Sequence, residues 1–159
     1  MTGGEYVQGG ICPFTKLIMS KCLPMLLYGV AASEAQSKEI SKSSFAFNSI
    51  FFKLFGAKTK SEIALIQHHC NILDYPRLQN YHRITFLNKL FLNSKIRNSN
   101  PFDKADFDEL NSLNTLYNTK IGADKFTVKN NIWTDFTNMI NTFKKCSAVT
   151  IKQVIFSLV

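Results

Sequence analysis

A chain of 159 residues with 45% hydrophobic residues is long enough to bury a core, and its charged fraction of 19% is too low for a disordered chain. The formal net charge of +8 favours partners that are rich in phosphate or otherwise anionic. The four cysteines are too widely spaced for a disulfide framework or a zinc site, so we expect reduced thiols and an intracellular location, in the cytoplasm or the nucleus.

The chain opens with a Gly-rich, aperiodic stretch, and we expect residues 1–12 to be a disordered leader. From Pro13 to Tyr28 the sequence predicts a buried helix with a kink or break at Pro24. Lys21 and Pro24 interrupt its apolar residues, which fall short of the ~20 needed to span a bilayer. We therefore expect no membrane segment.

The clearest helix in the sequence runs from Lys38 to Phe55 and ends at Gly56. Its apolar stripe consists of Ile40, Phe47, Ile50, Phe51 and Leu54. Phe45 and Phe52 lie off this stripe, beside a face that bears Lys38, Lys42 and Lys53. Two alternatives stay open for these rings: another helix covers them, or they contact nucleic acid together with the lysines.

Two further helices follow. Thr59 and Glu62 form a capping-box pattern that starts the first, and the second runs from Pro76 to about Asn93. The second helix and its flank carry basic residues and no acid between positions 76 and 100. Arg77, Arg83 and Lys89 are spaced so that they surround this helix. A solvated helix and a phosphate-binding one are both compatible with that spacing.

The remaining sequence, residues 98–159, is interpreted as a C-terminal helical extension. Helical spacing is present from Phe102 to Leu116 and again from Ile132 to Phe143, with a connector predicted over Gly122 to Asn131. Residues 148–159 fit a strand or a helix equally well. We expect an all-α fold, a small irregular bundle of about five to seven helices with an uncertain C-terminal segment.

No set of residues in the sequence predicts catalysis, a metal site, a cofactor or a small-molecule substrate. His68, His69 and Cys70 are adjacent, so on a helix they point about 100° apart and cannot converge on one ion. The single acidic cluster consists of Asp103, Asp106, Asp108 and Glu109. It lies at the start of a candidate helix, where the exposed N–H groups favour negative side chains.

Three segments, in the same order and at similar spacing, resemble the region after the palm in reverse transcriptases of non-LTR (LINE-type) retrotransposons. They are the run CLPMLLYG from Cys22 to Gly29, FAFNSIFFKLFG from Phe45 to Gly56, and YPRLQNYHRITFLNKL from Tyr75 to Leu90. The family's aromatic-x-Asp-Asp block, which holds the two catalytic metal ions, has no counterpart here.

The resemblance implies a thumb-like helical region over residues 13–97 of an RNA-directed DNA polymerase, without the catalytic palm and inactive alone. It implies a grip on the backbone of RNA or DNA, for which the basic candidates are Lys38, Lys42, Lys53, Arg77, Arg83 and Lys89. Phe45 and Phe52 would then face the palm or another partner. The alternative is a helical protein-interaction module, which would use its exposed aromatic helix faces and have no nucleic-acid role.

Overall fold

A computed structural model describes residues 16–28, 37–93 and 104–146, and within these ranges it contains helices and no strand. The described residues form six α-helices: α1 (Leu23–Leu27), α2 (Ser37–Phe55), α3 (Lys60–His69), α4 (Tyr75–Leu92), α5 (Lys104–Leu116) and α6 (Lys125–Cys146). A short π-helical turn, Ile18–Cys22, leads directly into α1. The predicted all-α bundle is confirmed. The predicted leader and the undecided segment 148–159 lie outside the described residues.

Helix α4 is central to the bundle, because α2, α5 and α6 all pack against it, while α3 bridges α2 and α6. Each helix from α2 to α6 contributes to one continuous core. Its fully buried side chains include Phe47, Phe51, Ile63, Ile84, Leu87, Leu110, Ile132, Phe136 and Ile140. The helices of the predicted C-terminal extension therefore share a core with the helices that carry the resemblance.

The predicted helix boundaries between α2 and α4 are confirmed by local hydrogen bonds. Gly56 has a φ of +63° and its N–H donates to the Phe52 carbonyl, which ends α2. Thr59 and Glu62 form the capping box of α3, each side chain accepting from the other residue's backbone N–H. The Asp74 carboxylate accepts from the Arg77 N–H at the start of α4.

Two sequence-based expectations are wrong. The segment before Tyr28 is helical but not buried: within the described residues only Ile18 and Leu23 are buried there, while Met25 and Tyr28 are 81% and 91% exposed. The predicted connector from Gly122 to Asn131 is also too long, since α6 begins at Lys125. The helix starts early because Asp124 Oδ1 accepts hydrogen bonds from the N–H groups of Phe126 and Thr127.

A membrane-spanning helix must be long and apolar enough to cross the bilayer, and the sequence predicts that this chain has none. In the part of the chain that the structure describes, no helix is both long enough and apolar enough to cross a bilayer.

Candidate nucleic-acid interface

Four of the predicted contact residues, Lys38, Lys42, Phe45 and Lys53, lie on one face of α2. At about 100° per residue their positions fall within an arc of about 80°, on the side of the helix away from the buried Phe47. All four side chains are exposed, and Phe45 is exposed at 71%. The face is about 22 Å long, from the helical rise of about 1.5 Å per residue. We call these four residues the α2 basic face.

The two aromatic residues that the sequence placed beside the lysines have different environments. Phe52 is half-buried and packs against the core, as the first of the two alternatives predicted. The described residues cover Phe45 much less than they cover Phe52, and most of the Phe45 ring is accessible. An exposed ring flanked by lysines can stack on an unpaired base while the ammonium groups bind phosphates.

Arg77, another predicted contact residue, lies in an ion-pair network inside the bundle. Its Nη1 is 2.7 Å from Asp74 Oδ2, and its Nη2 is 2.7 Å from Asp135 Oδ2 on α6. The guanidinium also lies over the Phe136 ring, 5.3 Å from the centroid. These contacts join α4 to α6, and the two neighbouring carboxylates raise the pKa of Arg77 despite its partial burial.

Arg83 makes a second network, between α4 and α5, with a side chain that is 7% exposed. Its Nη2 is 2.6 Å from Glu109 Oε2 and 3.2 Å from Asp106 Oδ1, and its Nε donates to both Glu109 oxygens at 3.1 Å. Two members of the acidic cluster thus serve as partners of a buried arginine. Lys89, the third basic candidate on α4, is exposed near the end of the helix.

The structure also contains a cleft that sequence reasoning missed. It lies between α2, α3, the start of α4 and α6, has a volume of about 220 Å³, and is lined by residues that include Ser44, Asn48, Lys60, Gln67, Met139 and Phe143. Gln67 is 1% exposed and its Nε2 donates to Asn48 Oδ1 at 3.2 Å. The available signal was a glutamine four residues after Ile63, on the buried stripe of α3.

The histidines do not form a metal site: within the described residues no group of three or more His, Cys, Asp or Glu side chains could hold an ion. Instead, the His68 ring stacks on Trp133 with centroids 5.2 Å apart, and its Nε2 is 3.2 Å from the Thr137 hydroxyl on α6. The imidazole therefore helps to join α3 to α6.

We expect the protein to lose stability as the pH falls below about 6.5, because two histidines resist protonation in the folded chain. Burial lowers the pKa of His68 and of His82, and nearby lysines add to both effects. Below the ordinary imidazole pKa the unfolded chain binds protons that the folded chain does not, so acid favours unfolding. The melting temperature should fall between about pH 7.5 and pH 5.5, and less steeply in a His68→Gln/His82→Gln variant. An equal fall in both proteins would contradict this.

The three segments that carry the resemblance to reverse transcriptases meet in the fold at Tyr75. The Tyr75 hydroxyl donates to the Leu26 carbonyl on α1 at 3.0 Å, and its ring lies 6.2 Å from that of Phe47 on α2. The segments therefore form one packed unit. In comparisons with known proteins, the chain matches no family model, no curated protein and no solved structure.

Proposed function

We propose that this chain is a helical module that binds the backbone of single-stranded nucleic acid through the α2 basic face. The observation that carries the proposal is the alignment of Lys38, Lys42 and Lys53 with the exposed Phe45 ring on one side of one helix. Such a face neutralises phosphates without reading sequence, and the ring adds stacking on any base. The resemblance to the region after the palm of retrotransposon reverse transcriptases implies a grip on the backbone of RNA or DNA.

The distribution of charge within the fold supports the proposal. Four carboxylates, those of Asp74, Asp106, Glu109 and Asp135, are paired with the two arginines inside the bundle. With these groups included, the chain carries 19 basic and 11 acidic residues and a formal net charge of +8. The lysines thus dominate the field outside the protein, which attracts a polyanion from solution.

Replacement of the three lysines of the α2 basic face by glutamine should weaken binding to a fluorescein-labelled RNA strand of about 12 nucleotides, measured by fluorescence anisotropy. Each lost phosphate contact on a single strand should reduce the magnitude of the slope of log K against log salt by about 0.7, so the triple variant should lose about 2. Titrations between about 50 mM and 200 mM salt measure that slope. Circular dichroism on each variant verifies that it is folded.

A matched control is available in Lys120, Lys125 and Lys129, which are also exposed but lie at the turn before α6 and in its first turns, next to Asp124. Their replacement by glutamine changes the net charge by the same amount. If both triple variants weaken binding equally, the net charge holds the strand and the α2 basic face does not. A folded wild-type chain without binding at low salt would refute the proposal altogether.

A second function, docking of a protein partner, is favoured by a different surface. Leu17, Met25 and Tyr28 in and beside α1 are all more than half exposed. Exposed apolar side chains suit the groove of another protein, and their binding should change little as salt rises. The salt titration therefore distinguishes this function from phosphate binding.

A further inference from the structure

We infer that the cleft beside α2 accepts a single unstacked nucleobase from the strand that the α2 basic face binds. This inference rests on the proposed function and gives it a second, base-dependent component. The cleft lies beside the basic face on α2, because Asn48, which lines the cleft, is an i+3 neighbour of Phe45. A strand held along this face therefore passes the mouth of the cleft.

The size of the cleft suits one ring system. Its volume of about 220 Å³ is below the roughly 300–1,000 Å³ of pockets that hold drug-sized ligands. Phe143 and Met139 of α6 form part of its wall, and an aromatic ring beside a thioether is a surface on which a base can pack. Lys60, which also lines the cleft and is exposed, supplies a positive charge for the adjoining phosphate.

The two carboxamides in the cleft supply the hydrogen-bonding groups that recognise a base edge. One Nε2 hydrogen of Gln67 is used by Asn48 Oδ1. No hydrogen bond to another described residue occupies the Asn48 Nδ2 group or the Gln67 Oε1 oxygen, so the pair retains one donor and one acceptor. If the oxygen and nitrogen of both amides exchange positions, one acceptor and one donor still remain unused. Every natural base carries an adjacent acceptor and donor on its pairing edge, which complements this pair.

Asp74 also lines the cleft, and its carboxylate does not oppose an incoming phosphate strongly. It is bound by Arg77 Nη1 and by the Arg77 N–H, and burial raises its pKa in spite of that guanidinium. Arg77 thus offsets part of its charge, and the other polar groups of the lining are the amide pair, Lys60 and the hydroxyls of Ser44 and Ser61.

The test compares strands that differ only at the pairing edge. Oligo-uridine is compared with oligo-3-methyluridine, and oligo-adenosine is compared with oligo-N6,N6-dimethyladenosine. The two strands of each comparison have the same charge and the same ring system. Because stacking on Phe45 tolerates either member, discrimination measures edge recognition. The wild-type chain should bind the unmethylated member of at least one pair about tenfold more tightly, within the range of a base-edge contact.

Asn48→Ala should bring that ratio close to 1 while leaving the affinity for the methylated strand unchanged. Ser44→Leu, which fills the cleft and keeps both amides, should do the same, and the exposed Asn130→Ala serves as the matched control. Equal wild-type binding of both members in both pairs overturns the inference. If no strand binds at low salt, the proposed function fails, and NMR titration with free uridine against 3-methyluridine then tests the cleft alone; equal shifts with the two nucleosides overturn it.

Discussion

Phe47→Ala should reduce the free energy of unfolding by about 3–5 kcal/mol, the largest effect that we expect from a single substitution in this chain. The Phe47 side chain is fully buried, with its ring edge-to-face against Phe51 at 5.3 Å and 6.2 Å from the Tyr75 ring. Truncation removes apolar contact area and both aromatic contacts, and it leaves a cavity where α2 packs against α4. Urea denaturation followed by circular dichroism measures the change.

The same helix provides a closely matched control for this experiment. Phe45 is two residues away and 71% exposed, so Phe45→Ala should change the free energy of unfolding by no more than about 0.5 kcal/mol. The two substitutions remove the same atoms from the same helix. A loss below about 1 kcal/mol for Phe47→Ala, or equal losses for both variants, would contradict the orientation of α2 described above.

Arg83→Met should destabilise the fold by about 2–3 kcal/mol, the second largest effect that we expect. Methionine keeps much of the apolar stem but leaves Glu109 and Asp106 without their shared cation at the contact between α4 and α5. We place the loss below the values of fully buried pairs because the two carboxylate side chains are 35% and 23% exposed and can be partly hydrated.

Lys89→Met is the control for Arg83→Met, because it removes one positive charge from an exposed site on the same helix and should alter stability by no more than about 0.5 kcal/mol. A double-mutant cycle with Glu109→Gln separates the coupling from the general effect of charge. Additive losses in that cycle would show that the Arg83–Glu109 contact does not stabilise the folded chain.

The ion-pair networks of Arg77 and Arg83 show where local sequence patterns stop being informative. The spacing of Arg77, Arg83 and Lys89 correctly indicates that they surround α4, but it does not reveal what each of them meets. Arg83 pairs with Glu109 26 residues later, and Arg77 pairs with Asp135 58 residues later. Contacts between helices depend on how the helices pack, which periodicity within one helix does not contain. The cleft beside Gln67 was missed for the same reason.

Local signals, by contrast, predicted much of the helical framework. The capping box at Thr59, the glycine after Phe55 and the proline-led start of α4 depend on neighbouring residues, and all three are confirmed. Apolar periodicity does not predict the start of α6, because that start depends on the side-chain cap that Asp124 provides. Apolar periodicity was less reliable at helix ends, where Leu54 and Leu116 occupy predicted stripe positions but are largely exposed.

The π-helical turn at the start of the described chain has a consequence for insertions and deletions. The Leu23 N–H donates to the Ile18 carbonyl, five residues back, so the turn holds one residue more than an α-helical turn. In a regular α-helix these two residues would lie about 140° apart, yet both are buried here. Deletion of Met19 or Ser20 would leave them four residues apart, a spacing that a regular α-helix places on one side. This segment can therefore lose a residue and keep both anchors in the core.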